Sequence, residues 1–234
     1  LQTKRASLLD TRFYLLMSIL ILVVVVLGFS RTIDKNLIHP AVPRPTILHM
    51  HVAIFLGWVI LLILQSALIR TRNVGLHKLV GWYGVVHGIA VPAIGIPTTI
   101  VMGRFHVAHH DGEPIATLLI PFWDMVAFSV PFVLAVLWRK KPEFHRRLML
   151  MATCALTAAA FGRFPPQILP PVLFYLGVDL LIVFGIVRDW IVNREVHRVY
   201  KIGLPLLVVG QTIVMYLVAT ELPGWVRIAQ RILG

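Results

Sequence analysis

The chain has a single cysteine, Cys154, among its 234 residues. That count excludes a disulfide within the chain, a Cys-Cys zinc site, a thiolate-held iron–sulfur cluster and c-type haem attachment. Charge is also scarce. Only 14% of the residues are Asp, Glu, Lys or Arg, and the ten acidic residues face 22 basic ones. A soluble domain carries about 25% charged residues, so this composition argues against one. G-x-S-x-G, H-E-x-x-H and glycine-rich nucleotide loops are all missing, which leaves no hydrolase or nucleotide-binding signature. There is no convincing internal repeat, and no matching halves carry Gly/Pro-broken helices. A small-solute transporter is therefore the less favoured class.

What the chain has in abundance is apolar sequence. It is 58% hydrophobic, with a mean hydropathy of +0.84. A membrane span needs about 20 apolar residues. Seven runs qualify, at about 13–30, 47–69, 76–102, 115–138, 144–164, 171–192 and 202–221. They are joined by short segments that hold most of the charge. Lys4 and Arg5 precede the first run as they would in a signal peptide, but no A-x-A-like cleavage site follows, so it reads as a retained helix. The net charge of +12 resembles a nucleic-acid signal. Short cytoplasmic loops of membrane proteins collect Lys and Arg for topological reasons, however, and no nucleic-acid partner is expected. With the N-terminus in the cytoplasm and the C-terminus outside, fifteen of the 22 basic residues fall inside. The expected fold is an all-α polytopic bundle of seven transmembrane helices, forming one integral membrane domain over residues 1–234.

Local signals refine the spans. Pro142 and Glu143 suit the first turn of the fifth, where a missing N–H costs little and a carboxylate meets the positive helix end. Pro92 and Pro97 predict a kink in the third. "RFPPQILPP" predicts a stiff, extended outer loop.

The rare polar residues inside the spans carry the functional question, because each is costly in hydrocarbon. His77 and His145 lie in the first turns of helices that start inside, so they share one interface. His87 is ten residues deeper than His77, about 15 Å along a helix. His49 and His51 lie near the outer face. Asp124, Asp179 and Gln211 fall near mid-depth. At about 100° per residue, His77 shares a face with Gly81, Gly84, Gly88 and Gly95, a stripe that permits close helix contact or leaves room for a flat ligand. His51, Trp58 and Gln65 line another face, expected to point into the protein.

"LHKLVGWYGV" and "HRRLMLMAT" resemble the paired patterns LH(K/R)-x-x-G and H-(K/R)-R-L-M of a broad group of poorly characterised bacterial multi-helix membrane proteins, and "HMHVAIFLGWVILLILQ" resembles the helix before them. That group is distantly similar to the ascorbate-reducible di-haem cytochromes b. The likeness covers roughly residues 47 to 165. It implies a bacterial inner-membrane protein in which histidines of neighbouring helices ligate b haems near each membrane face. Carried onto this chain, His77 and His145 become an inner pair of iron ligands. His51 and His87 become a second cofactor site or part of a proton path.

The leading expectation is therefore a membrane redox protein that holds haem b, or a quinone, between helices two to five and transfers electrons. Its rival is an accessory subunit packed against other membrane subunits of a respiratory or photosynthetic complex, whose single histidines ligate a chlorophyll-type pigment. Each residue also has a plainer reading. His77 and His145 would be interfacial side chains meeting headgroups. His87 would be a structural hydrogen bond between helices, with Asp124 as one partner at its depth, or part of a proton relay with it. Asp179 would pair with Arg163 or Gln211. Met149 and Met151 read as packing. The outer loop "FHVAHHDGEP" offers His106, His109, His110, Asp111 and Glu113, types that suit zinc or copper, but their spacing matches no metal motif and a solvated loop is the preferred reading.

Overall fold

The protein's structure, a computed structural model, describes residues 2–110 and 115–234, with side chains from Arg12 onwards. It is all-helical: 84% of the described residues are helical and none is in a strand. Among the described residues six helices are long and apolar enough to cross a membrane. They are α1 (Gln2–Phe29), α2 (Thr46–Arg70), α3 (Val74–His109), α4 (Leu119–Leu137, extended at its start by a 3-10 turn, Ile115–Leu118), α7 (Phe174–Asn193) and α8 (Arg198–Ala219).

The expected fifth span, 144–164, takes a different form. It is split into α5 (Pro142–Leu156) and a single turn, α6 (Ala158–Phe161). The break falls at Thr157, whose hydroxyl donates to the carbonyl of Cys154 at 2.6 Å and so diverts the local backbone. Glu143, Arg146 and Arg147 lower the hydropathy of α5. It tolerates them because it is enclosed by protein: it packs against α1, α4, α7 and α8, and every residue from Leu150 to Ala155 is buried. The main core forms around it, from Met17 and Ile21 of α1, Val178 and Ile182 of α7, and Val199 and Tyr200 of α8. A smaller core of Trp58, Leu61, Val91, Met125, Phe128 and Phe132 joins α2, α3 and α4.

The ends of α3 are set by local chemistry. After α2 the chain turns through Arg72, at φ 60°, a left-handed conformation that carries strain for a residue with a side chain. Asn73 then caps α3, its Oδ1 accepting from the backbone N–H of Leu76 at 3.2 Å. At 36 residues α3 is about 54 Å long, well beyond the ~30 Å hydrocarbon thickness. It runs past the expected end at 102 and remains helical through Pro92 and Pro97.

An element the spans did not anticipate follows α8. Helix α9 (Pro223–Leu233) packs on the C-terminal end of α3 and on the 115–118 turn. Trp225 Nε1 donates to the carbonyl of Ala116 at 2.9 Å, and Arg104 donates to the carbonyl of Ile232 at 2.9 Å. Its apolar and basic residues separate onto two faces, the pattern of a helix lying in the membrane interface.

Candidate functional site

His77, in the first turn of α3, and His145, in the first turn of α5, come together. Their ring centroids are 6.4 Å apart and their planes are nearly perpendicular, at 81°. Both are half-buried. Each ring is held through Nδ1. In His145, Nδ1 lies 2.9 Å from the carbonyl oxygen of Ala135. A carbonyl only accepts, so Nδ1 carries the proton and Nε2 keeps its lone pair. Ala135 belongs to the last turn of α4, whose final carbonyls have no partner within the helix, so His145 also serves as a cap.

Gln65 of α2 holds His77. Its amide reaches the α3 backbone beside Gly81. In the orientation that satisfies every contact, its nitrogen donates to His77 Nδ1 at 2.6 Å and to the His77 carbonyl at 3.2 Å, and its oxygen accepts from the Gly81 N–H at 2.9 Å. The neutral ring of His77 then bears its proton on Nε2. Neither Nε2 has a protein partner among the described residues.

The glycine stripe is not an open cleft. A methyl at Gly88 would run into the Phe132 ring, and one at Gly95 would run into the Met125 thioether. Near Gly84, Leu61 of α2 lies at ordinary contact distance, 3.4 Å from a methyl there. The missing side chains admit residues of α2 and α4, which is close helix packing.

His87 has partners other than those expected. Its Nε2 lies 2.8 Å from the carbonyl of Ile54 and its Nδ1 lies 3.2 Å from the Tyr83 hydroxyl. The carbonyl fixes the proton on Nε2, so Nδ1 accepts from Tyr83. Both ring nitrogens are engaged, and the ring clips α3 to α2. Asp124 does not meet it. That carboxylate is buried and accepts from the Tyr175 hydroxyl at 2.9 Å, joining α4 to α7. His51 stacks on Phe55, with centroids 3.9 Å apart, and its buried Nδ1 has no partner among the described residues. Asp179 accepts from Gln211 Nε2 at 3.2 Å, which decides between the two partners considered for it. Arg163 instead lies over Phe29, 4.6 Å from the ring centroid. Trp58 faces inward as expected: only 2% exposed, it donates to Thr153 Oγ1 at 3.2 Å.

Asp111 and Glu113 of the outer loop lie outside the described residues. Among the described residues no group of three or more His, Cys, Asp or Glu is placed to hold a metal ion. His109 Nδ1 donates to the carbonyl of Phe105 at 2.8 Å.

One cluster was not foreseen. Arg147 is fully buried and grips the equally buried Asp189 of α7 with two parallel bonds, Nε to Oδ2 at 2.7 Å and Nη2 to Oδ1 at 2.6 Å. Asp189 also accepts from Arg188 Nη1 at 2.7 Å and from the backbone N–H of His197 at 3.2 Å. Arg147 Nη1 donates to Glu143 Oε2 at 2.6 Å. Partial burial raises the pKa of Glu143, but the Arg147 hydrogen bond and the nearby Arg146 and Arg147 charges outweigh it and hold the carboxyl below its ordinary value. His197 is held below its usual value by burial, reinforced by the Arg147 charge. The second arginine of "HRRLM" thus ties α5 to α7. The sequence signal for it was an Arg-Asp pair at 188–189 inside an apolar run, a costly placement unless the pair is buried and matched.

Comparison of the chain with protein-family models, with curated proteins and with solved structures finds no match.

Proposed function

We propose that this chain is a membrane electron-transfer protein in which His77 and His145, in the first turns of α3 and α5, would hold a b-type haem through its iron. The carrying observation is the ring pair itself. A metal–imidazole nitrogen bond is about 2.0–2.1 Å, so two imidazoles that held one metal ion between them would have their nitrogens about 4 Å apart. The ring centres, set back behind those nitrogens, then fall a little over about 6 Å apart, close to the 6.4 Å spacing here. Anchoring at Nδ1 with Nε2 left over is also the pattern of ligating histidines, whose second nitrogen is held by the protein.

His145 is ready as it stands. For His77 to ligate through Nε2, its proton must move to Nδ1, and the Gln65 amide then turns over so that its oxygen accepts that proton. Gln65 is therefore a positioning residue that sets the basicity of His77. A haem bound here supplies one-electron chemistry at its iron. A quinone headgroup is less well served, because at His87 it would have to displace Tyr83 or the Ile54 carbonyl.

In this reading α5 and α6 together make a seventh crossing. Residues 144–161 cover about 27 Å at the helical rise, close to the thickness of the hydrocarbon layer, and leave Glu143 at the headgroup level. The N-terminus then lies in the cytoplasm of a bacterium, the site sits at the inner face of the inner membrane, and α9 rests on the outer face.

The test is a reduced-minus-oxidised absorption spectrum of the full chain purified after expression with a haem precursor. A Soret band with sharp α and β bands is expected. His77→Ala and His145→Ala each abolish it, while His87→Ala, whose ring is engaged elsewhere, retains it. A featureless spectrum from the wild type, or bands that survive both ligand substitutions, refutes the proposal.

A further inference from the structure

A groove of about 470 Å³ runs between α4, α5 and α8. Its walls are apolar for most of its length, formed by residues such as Val130, Leu134, Leu148 and Leu207. The α4 wall extends from Trp123 to Trp138, about 22 Å at the helical rise. One end is cationic. Lys141, at the start of α5, and Arg198, the first residue of α8, line it on either side of Phe144. The Arg198 guanidinium lies 4.5 Å from the Phe144 ring centroid and Lys141 Nζ lies 6.0 Å from it.

These two cations lack a carboxylate at ion-pair distance among the described residues. The acidic groups nearby are committed elsewhere: Glu143 to Arg146 and Arg147, Asp189 to Arg147 and Arg188, and Glu195 to Lys201. Both cations are exposed, at a level where α4 ends and α5 and α8 begin. That level is the bundle's surface at its most basic end. The N-terminus of α5, with no side-chain cap, adds its positive pole. A trough that is apolar along its length and positive at its mouth complements an amphiphile with an apolar chain and an anionic head.

We propose that this groove is a specific site for an anionic phospholipid, with its phosphate between Lys141 and Arg198 and one acyl chain laid along α4 towards Trp123. The site is independent of the haem reading, since neither His77 nor His145 lines it.

Trp123 and Trp138 line the groove, so an acyl chain carrying bromine quenches their fluorescence when it occupies the site. The full chain is reconstituted into phosphatidylcholine vesicles containing increasing mole fractions of brominated phosphatidylglycerol or brominated phosphatidylcholine. The component read is the one lost in Trp138→Phe. Each near-surface basic residue contributes roughly fivefold, so a preference for the anionic lipid on the order of twentyfold is expected. Lys141→Ala combined with Arg198→Ala brings the preference close to one without removing quenching. Val130→Phe, at a lipid-exposed position of the wall, reduces quenching by both lipids. The proposal is overturned if the wild type shows no preference, or if the double variant keeps it. It is also overturned if an isoprenoid quinone displaces the brominated lipid equally well from wild type and double variant, for the groove then serves a neutral chain.

Discussion

Replacing Asp189 by Asn keeps the shape of the side chain and removes its charge. In the wild type this buried carboxylate accepts from Arg147 Nε, Arg147 Nη2, Arg188 Nη1 and the His197 N–H. The amide that replaces it presents an N–H₂ group to donors that have nowhere to turn. Glu143 still neutralises part of Arg147 through its bond of 2.6 Å, but Glu143 is half in solvent, and Arg147 and Arg188 both lose the buried carboxylate they share. Removing one partner of a buried ion pair costs about 3–5 kcal/mol, mostly as the penalty of the uncompensated charge. That corresponds to roughly 10²- to 5 × 10³-fold in the unfolding equilibrium. Arg147→Met, which removes the other partner, has a cost of the same order. The double variant costs clearly less than the two singles together, because the Arg147 charge goes with the carboxylate it matched and only the Arg188 bond to Asp189 is lost besides. The assay is equilibrium unfolding in mixed micelles, followed by circular dichroism for wild type, both singles and the double. Two results refute the reasoning: single costs below about 1 kcal/mol, as for a solvated surface pair, or strict additivity across the cycle.

Three further outcomes are expected. Tyr175→Phe strips Asp124 of its hydroxyl donor and destabilises the protein by about 1–3 kcal/mol in the same assay; Asp124→Leu combined with it recovers part of the loss, and no recovery argues against the pairing. The folded-state pKa of Glu143 is depressed, so the stability it contributes is complete above its unfolded pKa and is lost as pH falls through the folded one. Unfolding midpoints measured from pH 7 down to about pH 3 therefore fall less steeply for Glu143→Gln than for wild type, and parallel curves contradict the assignment. A methyl group at Gly28 would collide with the backbone of Ala160, whereas one at Gly75 meets nothing within 4 Å. Gly28→Ala therefore lowers the thermal midpoint and Gly75→Ala leaves it near the wild-type value; equal effects count against α1 crossing α6 backbone to backbone.

Much of the candidate site was legible before any coordinates. His77 and His145 can be placed at one depth by counting residues along helices that start on the same side, and the structure brings their rings to 6.4 Å. The inward face of α2 follows from its angular pattern, and Trp58 and Gln65 occupy it. The glycine stripe shows the limit of that reasoning. A helical wheel reveals which residues share a face but not what fills the space opposite, and Phe132 and Met125 of α4 fill it. His87 shows the same limit: its partners are a tyrosine one turn before it and a backbone carbonyl on α2, and no side-chain pattern in the sequence marks a carbonyl.

By itself the sequence determined the class of solvent, the helices and most of their ends, because hydropathy, proline and capping act over a few residues at a time. The break in α5 at Thr157, the Arg147–Asp189 grip across 42 positions and the cationic mouth of the groove were decided only by the tertiary structure. Each depends on which helix stands beside which, and the free energy of a buried polar group is fixed by neighbours far away in sequence.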